Sequence, residues 1–174
     1  MPSSYQAPMR GDALRRKRTV SQSTDTNVAH DTATVRRLLH DKGGSVFTIR
    51  PQDTIAVAVQ ILREKQIGAL LVTDANGDLQ GILSERDIVR KLAETPGQTL
   101  PQTVEENMTR ELTTCAPDDT LVDVLRRMRD GGFRHMPVVD HGDLCGVLTS
   151  GDIVNYRLKE LEQEALQLKQ LIVG

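Results

Sequence analysis

The chain has 174 residues, 38% hydrophobic and 26% charged, which suits one soluble domain of ordinary size or two small fused lobes. A net charge of −2 excludes a global basic field of the kind that draws proteins to nucleic acid, and two Tyr and two Phe with no Trp cannot build a base-stacking platform. No run approaches the ~18 consecutive apolar residues of a membrane span. The basic N-terminal residues are followed by no apolar segment of a secretory signal, so the expected setting is the cytoplasm, with no membrane partner and nucleic acid disfavoured.

In chain order, residues 1–33 are rich in Ser, Thr, Gln, Asp and Arg without hydrophobic periodicity and read as a flexible basic and polar tail. Its Arg15-Arg16-Lys17-Arg18 run is a solvated patch or, less simply, a contact for nucleic acid or an acidic partner. Residues 34–41 suit a short helix. An internal repeat then dominates. Ile49-Arg50-Pro51-Gln52-Asp53-Thr54-Ile55 matches Cys115-Ala116-Pro117-Asp118-Asp119-Thr120-Leu121 at an offset of 66 residues, and after a one-residue deletion Leu79–Ser84 matches Leu144–Thr149.

Each copy reads alike. Pro-x-Asp-Thr opens a helix, with Asp or Thr capping its free amides. Apolar residues follow at Ile55, Ala58, Val59 and Leu62, or Leu121, Val124, Leu125 and Met128, one helical stripe. A β-rich run (67–73 or 133–139) leads to a turn at Asn76-Gly77 or His141-Gly142, residues that tolerate positive φ. A second strand (79–83 or 144–148) enters a second helix near Glu85 or Ser150. A β-α-β-β-α unit of about 45–50 residues is too small to bury much core alone, so the two copies are expected to pack together, with ligand clefts at their interface.

From residue 153 to 173 the pattern predicts an extended helix with Leu158, Leu161, Ala165, Leu168 and Ile172 spaced 3-4-3-4. That stripe suits either the protein's own core or a dimer contact. Cys115 and Cys145 lie in apolar runs without CxxC spacing and read as small hydrophobes. The four His show no metal-ligand spacing, and no nucleophile stands beside a base, so neither a metal site nor an enzyme is expected.

The chemically most informative element is Gly-x-x-Ser/Thr-x-x-Asp, present as Gly81…Ser84…Asp87 and Gly146…Thr149…Asp152. Each falls where a strand enters a helix. The hydroxyl and carboxylate can hold a ribose diol beside an anion-favouring helix N-terminus, or can simply form a capping box.

Together the Pro-x-Asp-Thr openings, the strands Ile67-Gly68-Ala69-Leu70-Leu71-Val72 and Arg134-His135-Met136-Pro137-Val138-Val139-Asp140, and both Ser/Thr-x-x-Asp endings resemble CBS (cystathionine β-synthase) repeats over about residues 45–158. The chain is similar to small stand-alone bacterial CBS-pair proteins. The resemblance implies an α/β fold in which two β-α-β-β-α repeats pack through their sheets into one module with a C-terminal helix. The implied divisions are a tail (1–33), repeat 1 with its preceding segment (34–98), repeat 2 (99–156) and a helical extension (157–174).

The resemblance further implies two clefts for an adenine nucleotide, AMP foremost, with ADP, NAD or ATP as alternatives and no catalytic cofactor. The main cleft would use Thr149 and Asp152 for the ribose and Arg134 and His135 for phosphate, with Met136 and Pro137 beside them. Lys42, Val46 and Phe47 would run past the nucleotide, and Ile67, Gly68 and Ala69 would wall the base. Without the resemblance, His135 reads as a core histidine. The second cleft would use Ser84, Arg86, Asp87, Leu112 and Phe133. Because repeat 1 has Gly68-Ala69 where repeat 2 has Arg134-His135, the Asp152 cleft is expected to be the stronger. The implied role is a homodimeric sensor that signals to an effector protein in trans; the alternative is a structural interaction module with vestigial clefts.

Overall fold

The computed structural model describes residues 33–43 and 45–173. The expected tail lies, except for Ala33, outside the described residues. The fold is α/β, with strands and helices in the order α1 (Val35–Lys42), β1 (Thr48–Ile49), α2 (Ile55–Lys65), β2 (Ala69–Thr73), β3 (Leu79–Ser84), α3 (Glu85–Glu94), α4 (Val104–Asn107), α5 (Leu121–Gly131), β4 (His135–Asp140), β5 (Asp143–Thr149) and α6 (Ser150–Val173).

The repeat in the sequence is a repeat in space. In the first copy β1 runs parallel to β2, and β2 pairs antiparallel with β3. In the second, β4 pairs antiparallel with β5, and the counterpart of β1 shrinks to one parallel bridge between Cys115 and Val138. Both hairpins carry an irregularity at the same place, between Val72 and Thr73 and between Val138 and Val139. The one-residue deletion falls in the turn. Repeat 2 closes through His141 and Gly142, at φ 51° and 96°, a pair of left-handed residues that matches strand twist. Repeat 1 spends one residue more, and the Asp74 carboxylate accepts hydrogen bonds from the Asn76 and Asp78 amides at 2.9 and 3.0 Å.

The helix openings divide labour between the two candidate caps. Thr54 and Thr120 accept from the Val57 and Asp123 amides and cap α2 and α5. Asp53 and Asp119 instead accept from the amides of Arg50 and Ala116, fixing the preceding turn. Of the predicted stripe, Ile55, Ala58 and Leu62 are buried while Val59 is 38% exposed; in α5, Leu121, Val124 and Met128 are buried with Leu125 packed beside them. Cys115 is buried, and burial pushes its thiol up to about 11. Cys145 is exposed, which corrects the expectation of two interior cysteines.

Packing departs from chain order. Helix α1 precedes repeat 1 yet buries Val35 and Leu38 in a core with Leu121, Val124, Met128, Met136 and Leu148 of repeat 2. Its entry is fixed by the Val35 and Arg36 amides donating to the Asp119 and Pro117 carbonyls. The short α4, which has no counterpart among the predicted elements, mirrors this on the other side. Val104 joins the core of repeat 1, with the Val104 and Glu105 amides donating to Asp53 and Pro51. Each copy therefore completes its core with a helix that the chain places before the other copy. Exchange of this kind joins the two small units into one body, since neither core is complete without it.

Candidate functional site

Each Ser/Thr-x-x-Asp element sits where the sequence places it. Ser84 ends β3 and Asp87 stands in the first turn of α3; Thr149 ends β5 and Asp152 stands in the first turn of α6. Both form reciprocal caps. Asp87 Oδ2 accepts from the Ser84 amide at 3.0 Å and from its hydroxyl at 2.5 Å, while the Asp87 amide donates back to Ser84 Oγ. The Thr149 amide donates to Asp152 Oδ2 at 2.9 Å, and the Asp152 amide donates to Thr149 Oγ1 at 3.0 Å. Capping occupies one oxygen of each carboxylate and leaves the other for a ligand.

The motif glycine has a separate reason. A Cβ on Gly81 would stand 2.9 Å from the Thr109 carbonyl, because the segment after α4 bridges β3 there, with Ile82 and Thr109 exchanging both backbone hydrogen bonds. A Cβ on Gly146 would meet Leu39 of α1 at 3.0 Å. The glycines thus admit the exchanged segments that flank each cleft.

Past this point the two sites diverge. At Asp152 the Lys42 ammonium lies 2.6 Å from Oδ2 and also donates to the Val147 carbonyl at 3.3 Å. Burial works to raise the Asp152 carboxyl, but the Lys42 and Thr149 hydrogen bonds outweigh it and hold the group below the usual carboxylate range. At Asp87 no cation makes an equivalent contact among the described residues, and a cleft of about 540 Å³ opens.

Repeat 1 contributes Ser84, Glu85, Arg86, Asp87 and Arg90 to that cleft; the segment linking α4 to α5 contributes Thr109, Glu111, Leu112 and Thr113; repeat 2 contributes Gly132, Phe133, Arg134, His135 and Pro137. Arg86 spans it, donating to the Gly132 carbonyl at 3.2 Å. The exposed Arg90 and Arg134 make no ion pair among the described residues. Both border a concave surface that also carries Glu85, Asp87 and Glu111, and their guanidinium groups are the cationic donors there that could meet a ligand anion.

All five residues expected in the second cleft (Ser84, Arg86, Asp87, Leu112, Phe133) line one cavity. Gly68, Arg134, His135 and Pro137, expected with Asp152, line it too. Lys42 instead lies at Asp152, with Thr149. Phe47 and Ile67 pack against the core of repeat 1, Phe47 with the Lys65 ammonium 5.5 Å from its ring centre; Val46 and Ala69 are half-buried beside them in sequence. Met136 is wholly buried in the core of repeat 2, because alternate residues of β4 face inward.

His135 stands between the repeats. A Cβ on Gly68 would approach its Nε2 to 3.2 Å, so that glycine gives the imidazole its space. Burial lowers its pKa, against the opposing pull of Asp152 and Glu85. Arg90, Thr109, Glu111 and Thr113 are cleft residues that the sequence reading missed. Arg90 carried a usable signal, four residues beyond Arg86 on the same helical face; the linking residues carried none.

Two α/β repeats, each completed by the other's leading helix and closing a cleft between them, define a tandem-repeat module. The chain belongs to the CBS domain family, whose signature matches residues 35–94 and 103–159. It is 35% identical to the CBS domain-containing protein YhcV of Bacillus subtilis, over 70% of this chain and 86% of that one. The CBS-domain protein ATU1752 of Agrobacterium tumefaciens has a similar structure, with a TM-score of 0.71, 36% identity and coverage of 74% of this chain and 96% of that one. The CBS domain pair of protein MJ0100, solved with 5′-methylthioadenosine and S-adenosyl-L-methionine, superposes with a TM-score of 0.62 at 28% identity, covering 74% of this chain and 98% of that one. Two further relatives, from Acidianus ambivalens and Methanocaldococcus jannaschii, are longer than the matched region, which spans 65% and 41% of their lengths. No helix among the described residues is long and apolar enough to cross a membrane.

Proposed function

We propose that the chain is a cytoplasmic regulatory module that binds an adenine nucleotide, AMP foremost, in the cleft between its repeats and passes the state of that cleft to a partner protein in trans. The observation that carries this reading is the 540 Å³ cleft that joins a helix-capping carboxylate, Asp87, to the unpaired guanidinium groups of Arg90 and Arg134. Its size falls within the ~300–1,000 Å³ of small-molecule sites. The free oxygen of Asp87 would accept from a ribose hydroxyl, Arg134 and Arg90 would hold phosphate, and Leu112 and Phe133 would cover apolar parts of the ligand. The adenosine-type ligands bound by the MJ0100 pair support the class of ligand. The role is sensing, not turnover.

Sequence alone ranks the Asp152 cleft first; the open volume and the free arginines favour the Asp87 cleft as the working site. Isothermal titration with AMP, ADP, ATP, NAD and S-adenosylmethionine tests the reading. Saturable binding of an adenine nucleotide that Asp87→Ala weakens is the expected result. No heat and no rise in melting temperature with any of the five would overturn it and favour a structural interaction module.

A further inference from the structure

The lining of the Asp87 cleft is balanced in charge, with Arg86, Arg90 and Arg134 standing against Glu85, Asp87 and Glu111. Burial holds the His135 imidazole below its ordinary pKa, so it adds little charge at neutral pH. Asp87 is accounted for as the cap of α3. Glu85 and Glu111 are not, and neither makes an ion pair among the described residues. Glu85 opens α3, and its amide donates to the Gly68 carbonyl at 3.0 Å. That bond holds the residue against the interface with its carboxylate turned inward. Glu85 Oε2 lies 3.8 Å from the point that a Cβ on Gly68 would take, and His135 Nε2 lies 3.2 Å from the same point. Glu111 enters the cleft from the segment between α4 and α5. An acid at a helix start complements the helix dipole, but the matching helix α6 opens with Ser150, and Glu111 belongs to no helix. Dipole compensation therefore does not explain the two together.

Their effect falls on the phosphate end of a ligand. The phosphate of AMP carries about two negative charges, which Arg90 and Arg134 can match. Each further phosphate adds a charge to a lining whose remaining cation, Arg86, is offset by carboxylates and already donates to the Gly132 carbonyl. A compact cleft of 540 Å³ is about 10 Å across, close to the Debye length of ~8 Å at physiological salt, so a carboxylate on its wall acts on any phosphate inside it. We propose that Glu85 and Glu111 are specificity-determining residues that admit a nucleoside monophosphate to the Asp87 cleft and turn away the polyphosphate chains of ADP and ATP. The inference rests on the reading of this cleft as an adenine-nucleotide site, and goes beyond it in naming the groups that count phosphates.

The test is titration calorimetry of the full chain with AMP, ADP and ATP, with a chelator present so that no divalent cation neutralises the phosphates. Kd should rise in the order AMP, ADP, ATP, by about tenfold overall. Glu85→Gln and Glu111→Gln should each narrow the gap between ATP and AMP about threefold, and the double substitution should close most of it. Glu85→Asp keeps the charge and should keep the gap. Both side chains are exposed, so the variants should fold and melt cooperatively like the parent. A role confined to the helix start would lower the melting temperature of Glu85→Gln and leave the ratio of the two Kd values where it was. A parent that binds ATP as tightly as AMP, or a gap that the double substitution leaves unchanged, would overturn the inference while the cleft reading stands. Binding of none of the three nucleotides would overturn both.

Discussion

The Asp87 and Asp152 sites start from the same seven-residue pattern and the same capping geometry, yet one is open and the other is latched. The difference lies outside the motif. Helix α1 ends beside the second site and carries Lys42, which reaches Asp152; its counterpart α4 is a single turn ending at Asn107 and brings no such cation to Asp87. Duplication copied the cap, and the exchanged helices made the copies unequal. A binding motif therefore has to be read together with whatever segment the fold lays across it.

The sharpest way to break the comparison is to remove each carboxylate in turn. Asp87→Ala and Asp152→Ala both lose a cap, with a stability cost of about 1 kcal/mol each. Only Asp87→Ala should also weaken nucleotide binding, by ~10–100-fold in Kd for the loss of charge-assisted hydrogen bonds to the ribose. Equal losses in the two variants, read by titration calorimetry, would mean that the clefts are equivalent after all.

Arg134→Ala should raise the Kd for AMP about tenfold while leaving that for adenosine nearly unchanged, which separates phosphate recognition from base and ribose contacts. The converse change acts on the latched side. Lys42→Met keeps the aliphatic stem and removes the ammonium, freeing Asp152. The expected result is a second, weaker binding event, with stoichiometry rising from one to two per chain. A stoichiometry that stays at one would show that Lys42 is not what distinguishes the sites.

Much of this was legible in the residues. The offset of 66, the Thr caps, the left-handed pair His141-Gly142 and the entry of both motifs into helices follow from local rules, and local rules survive folding. Two cleft features did not follow. The exchange of α1 and α4 between repeats is a tertiary choice, and nothing in Val35, Leu38 or Val104 says which core they enter. The placement of Arg134 with Asp87 instead of Asp152 has the same origin. Ser150 at the head of α6 donates to the Arg134 carbonyl, as Glu85 does to Gly68, so the backbone at position 134 obeys the repeat while its side chain lines the cleft built on the other copy's carboxylate. The sequence comparison of Gly68-Ala69 with Arg134-His135 points to an asymmetry between the repeats, but carries no information on which side of the interface it acts.

The smallest expected effect concerns His135, which stands between the two sites. Its folded pKa is lowered below the ordinary histidine value of 6.5, chiefly by burial and despite the attraction of Asp152 and Glu85. The unfolded chain therefore takes up that proton first as pH falls, and its contribution to stability is present above 6.5 and declines from there down through the folded pKa. Asp152 has the same sign in a lower window. Its lowered carboxyl contributes stability above its unfolded value of 3.8 that is lost as pH falls through the folded value. Between pH 7.5 and 5.5 the melting temperature should therefore fall in the parent and fall less in His135→Gln, with Asp152→Asn following the parent. Bound phosphate would favour the imidazolium, so saturating AMP should shrink the acid loss if His135 serves the Asp87 cleft. An acid loss that AMP leaves untouched would assign the imidazole to the packing between the repeats alone, and would leave phosphate recognition to Arg90 and Arg134.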